Sequence, residues 1–445
     1  MGQDCRGGGG RRHDSIDRIS SLPDDLLHCI LLRLKSTRAA GRTSVLSRRW
    51  RHVWAHLPYL RLGTCLDELP AATRLDSVDA ALAAFSAPAL KRLEVALYCH
   101  GLRVHARRVA SWLRFASQRR VRDLSIYVPP QTKFFLSTLM LTRKAEEAEE
   151  LQLPAWDAAT TIALSLEPRW TLRFPAAAGL FTALTDLYIT LVSMEGGELG
   201  AFVSAQCPRL RNLHLSAVTL PAASSDVCIR SDSLHSLSFH VDNAQRLQVI
   251  APNLEELTVS DAMDAHISAP KLAERFDKVD ALKLTLNLCD LTGTAEGFKR
   301  FMDQTIRLPK CDTLRLQVSL VNHHHNFTST ILHLLRRCDN TRKVSVKVNS
   351  GCESYPCPSS CLCRLPESCK ADGITLDSLE EVKITFVRSS YQGMEFLEQL
   401  ARCHAPSLKT LVINCELFRD GRKTKELEEV CRMFYPDIVV RFSVI

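Results

Sequence analysis

No run of about 18 apolar residues occurs in the 445-residue chain, so the sequence predicts no membrane-spanning helix and no membrane partner. The opening stretch, "MGQDCRGGGGRRHDSIDR", lacks an apolar segment and is not expected to act as a secretory signal. Met1-Gly2 begins like a myristoylation site, but Arg6 stands where Ser or Thr is required. A Gly-rich phosphate loop, a G-x-S-x-G elbow and an H-E-x-x-H helix are all missing. Those gaps remove the commonest signatures of nucleotide hydrolysis, acyl transfer and zinc proteolysis. The sequence asks for no cofactor, and the chain is not expected to be an enzyme. Aromatic residues make up only 7% of the chain. Two of its five tryptophans nevertheless stand four residues apart in "RTSVLSRRWRHVW", among Arg48, Arg49 and Arg51.

Hydrophobic residues, at 46%, are ample for a core, and the length exceeds one compact globule. The 17 cysteines are odd in number, and most sit singly inside apolar stretches. They read as reduced, buried thiols of a nuclear or cytoplasmic protein rather than as a disulfide framework. The net charge of +8 is uneven: residues 1–62 hold twelve Lys or Arg against five Asp, and the remainder is close to neutral. A basic head suggests an acidic partner. The body shows no basic stripe along its sequence, so nucleic acid is not the expected partner.

Residues 1–16 read as a flexible tail. "SLPDDLLHCILLRL" (21–34) predicts a helix with Pro23 at its first position and Asp24 and Asp25 at the positive end of the dipole. Leu26, Leu27, Ile30, Leu31 and Leu34 then span a wide apolar arc, with His28 and Lys35 opposite. A second helix over 43–54 would gather Leu46, Trp50, Val53 and Trp54 on one stripe and Arg48, Arg51 and His52 on the other. A module of this size seldom stabilises itself without added burial. Its surplus of Leu, Ile and Trp implies docking, either within this chain or on a partner.

These residues resemble the plant F-box: Leu22-Pro23-Asp24-Asp25-Leu26-Leu27, then Ile30-Leu31 and Leu34, then Arg42 to Arg51, with Val53-Trp54. The resemblance implies a three-helix module over 17–62 that binds the Skp-type adaptor of an SCF ubiquitin ligase, and through it a cullin. It places Leu22, Pro23, Leu26, Leu27, Ile30, Leu46, Ser47 and Trp50 at or near the adaptor contact. Lys35 and Gly41 depart from the usual pattern. They motivate the alternative of a scaffold whose F-box recruits no ligase. Arg48, Arg49 and Arg51 either steer the head toward an acidic adaptor or form a solvated face.

After a connector over 63–87, a short pattern recurs: apolar, two others, apolar, one other, apolar. Full copies include Leu90/Leu93/Val95, Val121/Leu124/Ile126, Leu184/Leu187/Ile189, Leu210/Leu213/Leu215 and Leu408/Leu411/Ile413; weaker ones include Leu151/Leu153 and Leu314/Leu316. Each predicts a short strand with one buried face. Eleven or twelve such strands would stack into a curved parallel sheet with helices or loops outside. The fold class expected is therefore α/β, an irregular leucine-rich-repeat solenoid behind the helical head. Helices are predicted near 105–118 and 328–337. Segments such as "VASWLRFASQRRVRDLSIYV" resemble plant F-box/leucine-rich-repeat proteins, and 376–415 resembles their FBD region, giving a solenoid over 88–372 and FBD-like repeats over 373–445. The resemblance implies a solenoid that grips a target protein.

Cys352, Cys357, Cys361, Cys363 and Cys369 crowd one loop, but their spacing does not suit structural zinc, and no metal site is expected. His323, His324 and His325 read as a solvent-facing loop. Cys403-His404 would need an orienting group, which the sequence does not reveal, to act as a nucleophile pair.

Overall fold

The computed structural model describes residues 19, 21–34, 37–63, 71–98, 103–130, 149–176, 181–221, 226–242, 246–260, 271–272, 278–287, 310–320, 328–337, 340–350, 373–387, 391–415, 429 and 431–444. The chain opens on helices α1 (Asp24–Leu32), α2 (Thr37–Arg42) and α3 (Arg48–Trp54), with a 3-10 turn over Thr43–Val45. Pro23 lies just outside α1 rather than in its first turn: its backbone is extended, and its carbonyl accepts from the N–H groups of Leu26 and Leu27. The expected helix over 43–54 is broken at Ser47. That residue is extended, and its Oγ accepts the Trp50 N–H at 3.4 Å. A side-chain cap of this kind satisfies one orphan donor and starts a new helix. Leu46 therefore belongs to the turn before α3, not to the Trp50 stripe.

The body is a parallel sheet. Its main path runs through β1 (Tyr59–Leu62), β2 (Arg92–Ala96), β3 (Asp123–Tyr127), β5 (Thr161–Ser165), β7 (Asp186–Ser193), β8 (Asn212–Thr219), β10 (Ser236–Asp242), β12 (Glu256–Ser260), β14 (Lys278–Asn287), β15 (Lys310–Leu320), β16 (Lys343–Ser350), β17 (Glu381–Val387), β18 (Thr410–Cys415) and β19 (Val439–Val444). Strands β4 (Glu149–Gln152) and β6 (Trp170–Arg173) form a side branch reaching β7. Strands β9 (Asp226–Arg230), β11 (Arg246–Ile250) and β13 (Lys271–Leu272) form a separate parallel ladder. Helices α4 (Ala71–Ala84), α5 (Ala106–Gln118), α6 (Gly196–Gln206), α7 (Thr328–Arg337) and α8 (Tyr391–Ala401) complete the α/β solenoid.

Register explains the repeat. One continuous row runs Leu60, Leu93, Leu124, Ile162, Leu187, Leu213 and Leu237, and continues through Leu257, Leu282, Leu314, Val344, Val382, Leu411 and Val440. A second row, two residues on, runs from Leu62 and Val95 to Ile413 and Phe442. Residues two apart on a strand share a face, so both rows point into the core as far as β18, and the residue between them points out; on the terminal strand β19 Val440 is half-buried and Phe442 exposed. Leu93, Leu187, Leu213, Leu314 and Ile384 are fully buried or within 1% of it.

The structure corrects the strand assignments in several places, and it adds β6, β9, β11 and β13, which were not expected. The weak copy at Leu151/Leu153 lies at β4, on the side branch; the rung between β3 and β7 is β5, carrying Ile162 and Leu164. Strands β1 and β19 were also not expected. β5 and β19 depart from the pattern at its leading apolar position, which holds the small Ala159 in β5 and Asp437 in β19. Strand β1 has a full copy, Leu57/Leu60/Leu62, inside the stretch assigned to the helical head.

Close packing also links the layers. A methyl built on Gly200 of α6 would lie 2.3 Å from the Cys228 carbonyl oxygen of β9, so only glycine fits there. Arg173 of β6 joins Glu195 at 2.5 Å, Glu198 at 3.0 Å and Glu150 at 3.3 Å, tying the side branch to α6. Cys207, Cys311, Cys403 and Cys431 are buried thiols outside any disulfide. Burial pushes the Cys207 thiol up to about 12, which keeps it protonated and unreactive.

Candidate functional site

Two surfaces stand out, and each is built from the sequence upward. In the head, α1 divides its apolar residues between two directions. Leu27 and Leu31 are fully buried or nearly so, whereas Leu26 is 50% and Ile30 41% exposed. Val45 and Leu46, in the turn before α3, are 83% and 65% exposed. Arg49 places that turn beside the start of α1: its guanidinium donates to the Leu22 carbonyl at 2.5 Å and to Asp24 Oδ1 at 2.5 Å. The Arg49 hydrogen bond, against a smaller opposing effect of desolvation, holds the Asp24 carboxyl below its usual range. His28 Nε2 lies 3.0 Å from the Val53 carbonyl, a contact that puts its ring proton on Nε2 and joins α1 to α3. Exposed aliphatics thus come from two segments of the head, α1 and the turn before α3, which Arg49 ties together.

The expected residues separate accordingly. Leu26, Ile30 and Leu46 are exposed and apolar; Pro23 is exposed and Leu22 half-buried against the core. Leu27 and Trp50 lie inside, at 0% and 4% exposure, so they cannot present their side chains outward as the head stands. Ser47 spends its hydroxyl on the α3 cap. The indoles are enclosed by this chain: Trp50 joins the same core as Leu57, Leu60 and Leu75, and Trp54 packs against it. The head is further fastened to the sheet by the Arg61 N–H, which donates to Thr37 Oγ1 at 2.7 Å. Added burial for the small head thus comes from the first rungs of the solenoid. The expected basic stripe is altered too, because Arg49 is engaged within the head while Arg48 and Arg51 are exposed. His28, expected on the solvent side, is half-buried.

The outward-facing residues of the sheet form the second surface. In the row between the two buried rows, Tyr188 and His214 pair by register, with ring centroids 6.0 Å apart. Tyr98 and Tyr127 stack at 5.0 Å near the first rungs. Burial, and then the Lys283 charge, hold His214 in the neutral form below its usual range; burial, and then His214, do the same for His240. The same outward row continues through Lys283, Arg315, Ser345, Lys383, Val412 and Arg441. These residues are far apart in sequence and adjacent in space, so a basic strip exists that the linear sequence did not display.

Residues matching the F-box domain family span 19–62, and the family described as "FBD-associated F-box protein At5g56370, LRR repeats" matches 109–337, just over half of the chain. The chain belongs to the FBD-associated F-box family of leucine-rich-repeat proteins. It is similar to F-box/LRR-repeat protein 25 of Arabidopsis thaliana, 27% identical over 261 residues, covering 57% of this chain and 88% of that protein. F-box/FBD/LRR-repeat protein At5g22660 of Arabidopsis thaliana is 26% identical over 307 residues, covering 66% of this chain and 62% of the relative. F-box/LRR-repeat protein At3g03360 of the same plant is 38% identical over 117 residues, 25% of this chain and 23% of its own length. The protein is thus a plant-type F-box protein with a leucine-rich-repeat interaction domain.

The remaining chemistry expected from the sequence is placed or set outside. Cys352, Cys357, Cys361, Cys363 and Cys369, like His323, His324, His325 and Lys35, lie outside the described residues. Cys403 is buried with its thiol 3.6 Å from the Gln399 carbonyl, while the His404 backbone bonds to Ile374 and Leu376. That pair serves a corner of the fold. Gly41 lies within α2, which runs through it to Arg42, and a methyl there would meet nothing within 4 Å.

Proposed function

We propose that this F-box protein is the substrate-recognition subunit of an SCF-type ubiquitin ligase, acting without catalysis of its own. The head would bind a Skp-type adaptor, and through it a cullin, while the solenoid holds a target protein. The observation that carries this reading is the exposed aliphatic set Leu26, Ile30, Val45 and Leu46 on a head whose own core is already closed. Large apolar residues left in water on a closed module are typical of docking surfaces. Leu22 and Pro23 border that set, whereas Leu27, Ser47 and Trp50 would act by positioning it. Fusion to the solenoid raises the local concentration of target beside the ubiquitin-loaded enzyme, so the rate gain comes from proximity and orientation. The working place of such a complex would be the nucleus, the cytoplasm or both.

The test uses the full chain and a purified Skp-type adaptor. Leu26→Asp combined with Leu46→Asp is expected to abolish co-purification while leaving the circular dichroism of the solenoid and the melting temperature in place. Unchanged adaptor capture by this variant contradicts the reading.

A further inference from the structure

The body is nearly neutral as a sequence, but its outward sheet face is not. On β14–β19 the three outward rows hold six cations, Lys283, Arg315, Lys343, Lys347, Lys383 and Arg441, against the single acid Glu381. All six cations are exposed. Arg315 reaches Glu256 of β12 at 3.3 Å, and Lys343 reaches Glu381 at 3.4 Å. Among the described residues, Lys283, Lys347, Lys383 and Arg441 have no carboxylate at ion-pair distance. On β1–β12 the balance reverses: Asp123, Asp186, Glu94 and Glu256 face outward against Arg61 and Arg92. The register sorts charge by sign along the solenoid.

We infer that the outward face of β14–β19 is the docking surface for an acidic, extended segment of a partner protein. This rests on the reading of the solenoid as the target-holding part. Five inter-strand steps of about 4.8 Å give a strip of about 24 Å, the length of roughly seven residues of extended chain at about 3.3 Å each. Alternate side chains of such a segment face the same way, so three or four Asp or Glu at every second position would meet the cations. Amide and hydroxyl residues between them, Gln317 and Thr385, suit a peptide backbone. A nucleic acid fits less well. A duplex carries one charge per about 1.7 Å, far denser than this strip. The outward rows of β14–β18 also hold no aromatic ring on which a base could stack.

The experiment uses the full chain co-purified with a Skp-type adaptor and follows fluorescence anisotropy of a dye-labelled peptide of alternating Glu and Ser. The wild type is expected to bind it, more weakly as salt rises. Lys283→Glu with Lys347→Glu and Lys383→Glu is expected to weaken binding by at least about tenfold, because like charges now face each other. The milder triple Lys→Gln change at the same positions should weaken it less, and it covers the case in which charge reversal disturbs folding. A control triple away from the face, Arg107→Glu with Arg209→Glu and Arg402→Glu, should bind as the wild type does. No peptide binding, equal loss in the control, or tighter binding of a thymidine oligonucleotide of equal charge each overturns the inference. Adaptor retention, read on the same samples, reports separately on the ligase reading.

Discussion

Ser47 does more with one oxygen than its position in a basic, Trp-containing run suggests. Its Oγ caps α3, and the same extended backbone turns Val45 and Leu46 outward. Ser47→Ala is expected to cost about 1 kcal/mol and to weaken adaptor binding by loosening that turn, checked by melting and by titration with the adaptor. Gly200→Ala should be costlier than its size implies. The added methyl meets a backbone carbonyl that cannot rotate away, so a loss of about 1–3 kcal/mol is expected in denaturant unfolding. The histidines set a pH response. His214 and His240 are held below the ordinary 6.5, mainly by burial, so the unfolded chain takes up protons first as pH falls. Their contribution is complete above about pH 6.5 and is lost progressively below it, as the pH falls toward their folded values. The melting temperature should therefore drop between about pH 7 and about pH 5.5, and His214→Gln with His240→Gln should flatten part of that slope. At this scale the sequence was partly readable. It marked Ser47 and Trp50 as important but not that one caps and the other fills the core, since both depend on where a helix breaks. The His28 contact with Val53 could not be foreseen, because it requires the crossing of α1 and α3.

At the scale of elements, helices with a clean apolar stripe were legible. The expected helices near 105–118 and 328–337 appear as Ala106–Gln118 and Thr328–Arg337. In the first, Val109, Trp112 and Leu113 are buried as the spacing suggests, whereas Phe115, expected on the same face, is half-buried and Ala116 takes the buried position. Most strands with a full leading apolar residue were legible too; β1, with Leu57, was hidden inside the stretch read as helical head, and β5 and β19 were missed because Ala159 and Asp437 weaken that signal. Helix α1 was the subtle case. One wide arc proved to be two adjacent faces, Leu27 and Leu31 inward, Leu26 and Ile30 outward. Substitutions should separate them. Leu31→Ala or Trp50→Ala empties a closed core and is expected to cost about 2–5 kcal/mol, seen as early melting of the head in the full chain. Leu26→Asp should leave melting within about 0.5 kcal/mol of wild type and still reduce adaptor capture.

For the whole molecule, the solenoid turns distance along the chain into adjacency. Charges spread from Lys283 to Arg441 become neighbours only through six strands held in register, so no local reading of a near-neutral sequence could reveal the strip. The fold class itself was legible, because it needs only that each strand be too short to bury its own face. The head is continuous with that array: Trp50, Leu57, Leu60 and Leu75 share one core, and the aliphatics left over face outward. The most direct measurement is calorimetric titration of a purified Skp-type adaptor into the full chain and into its Leu26→Asp/Leu46→Asp variant. The account predicts one-to-one binding to the wild type and none to a variant that melts at the same temperature. Absence of binding to the wild type, or equal affinity for both, would contradict it.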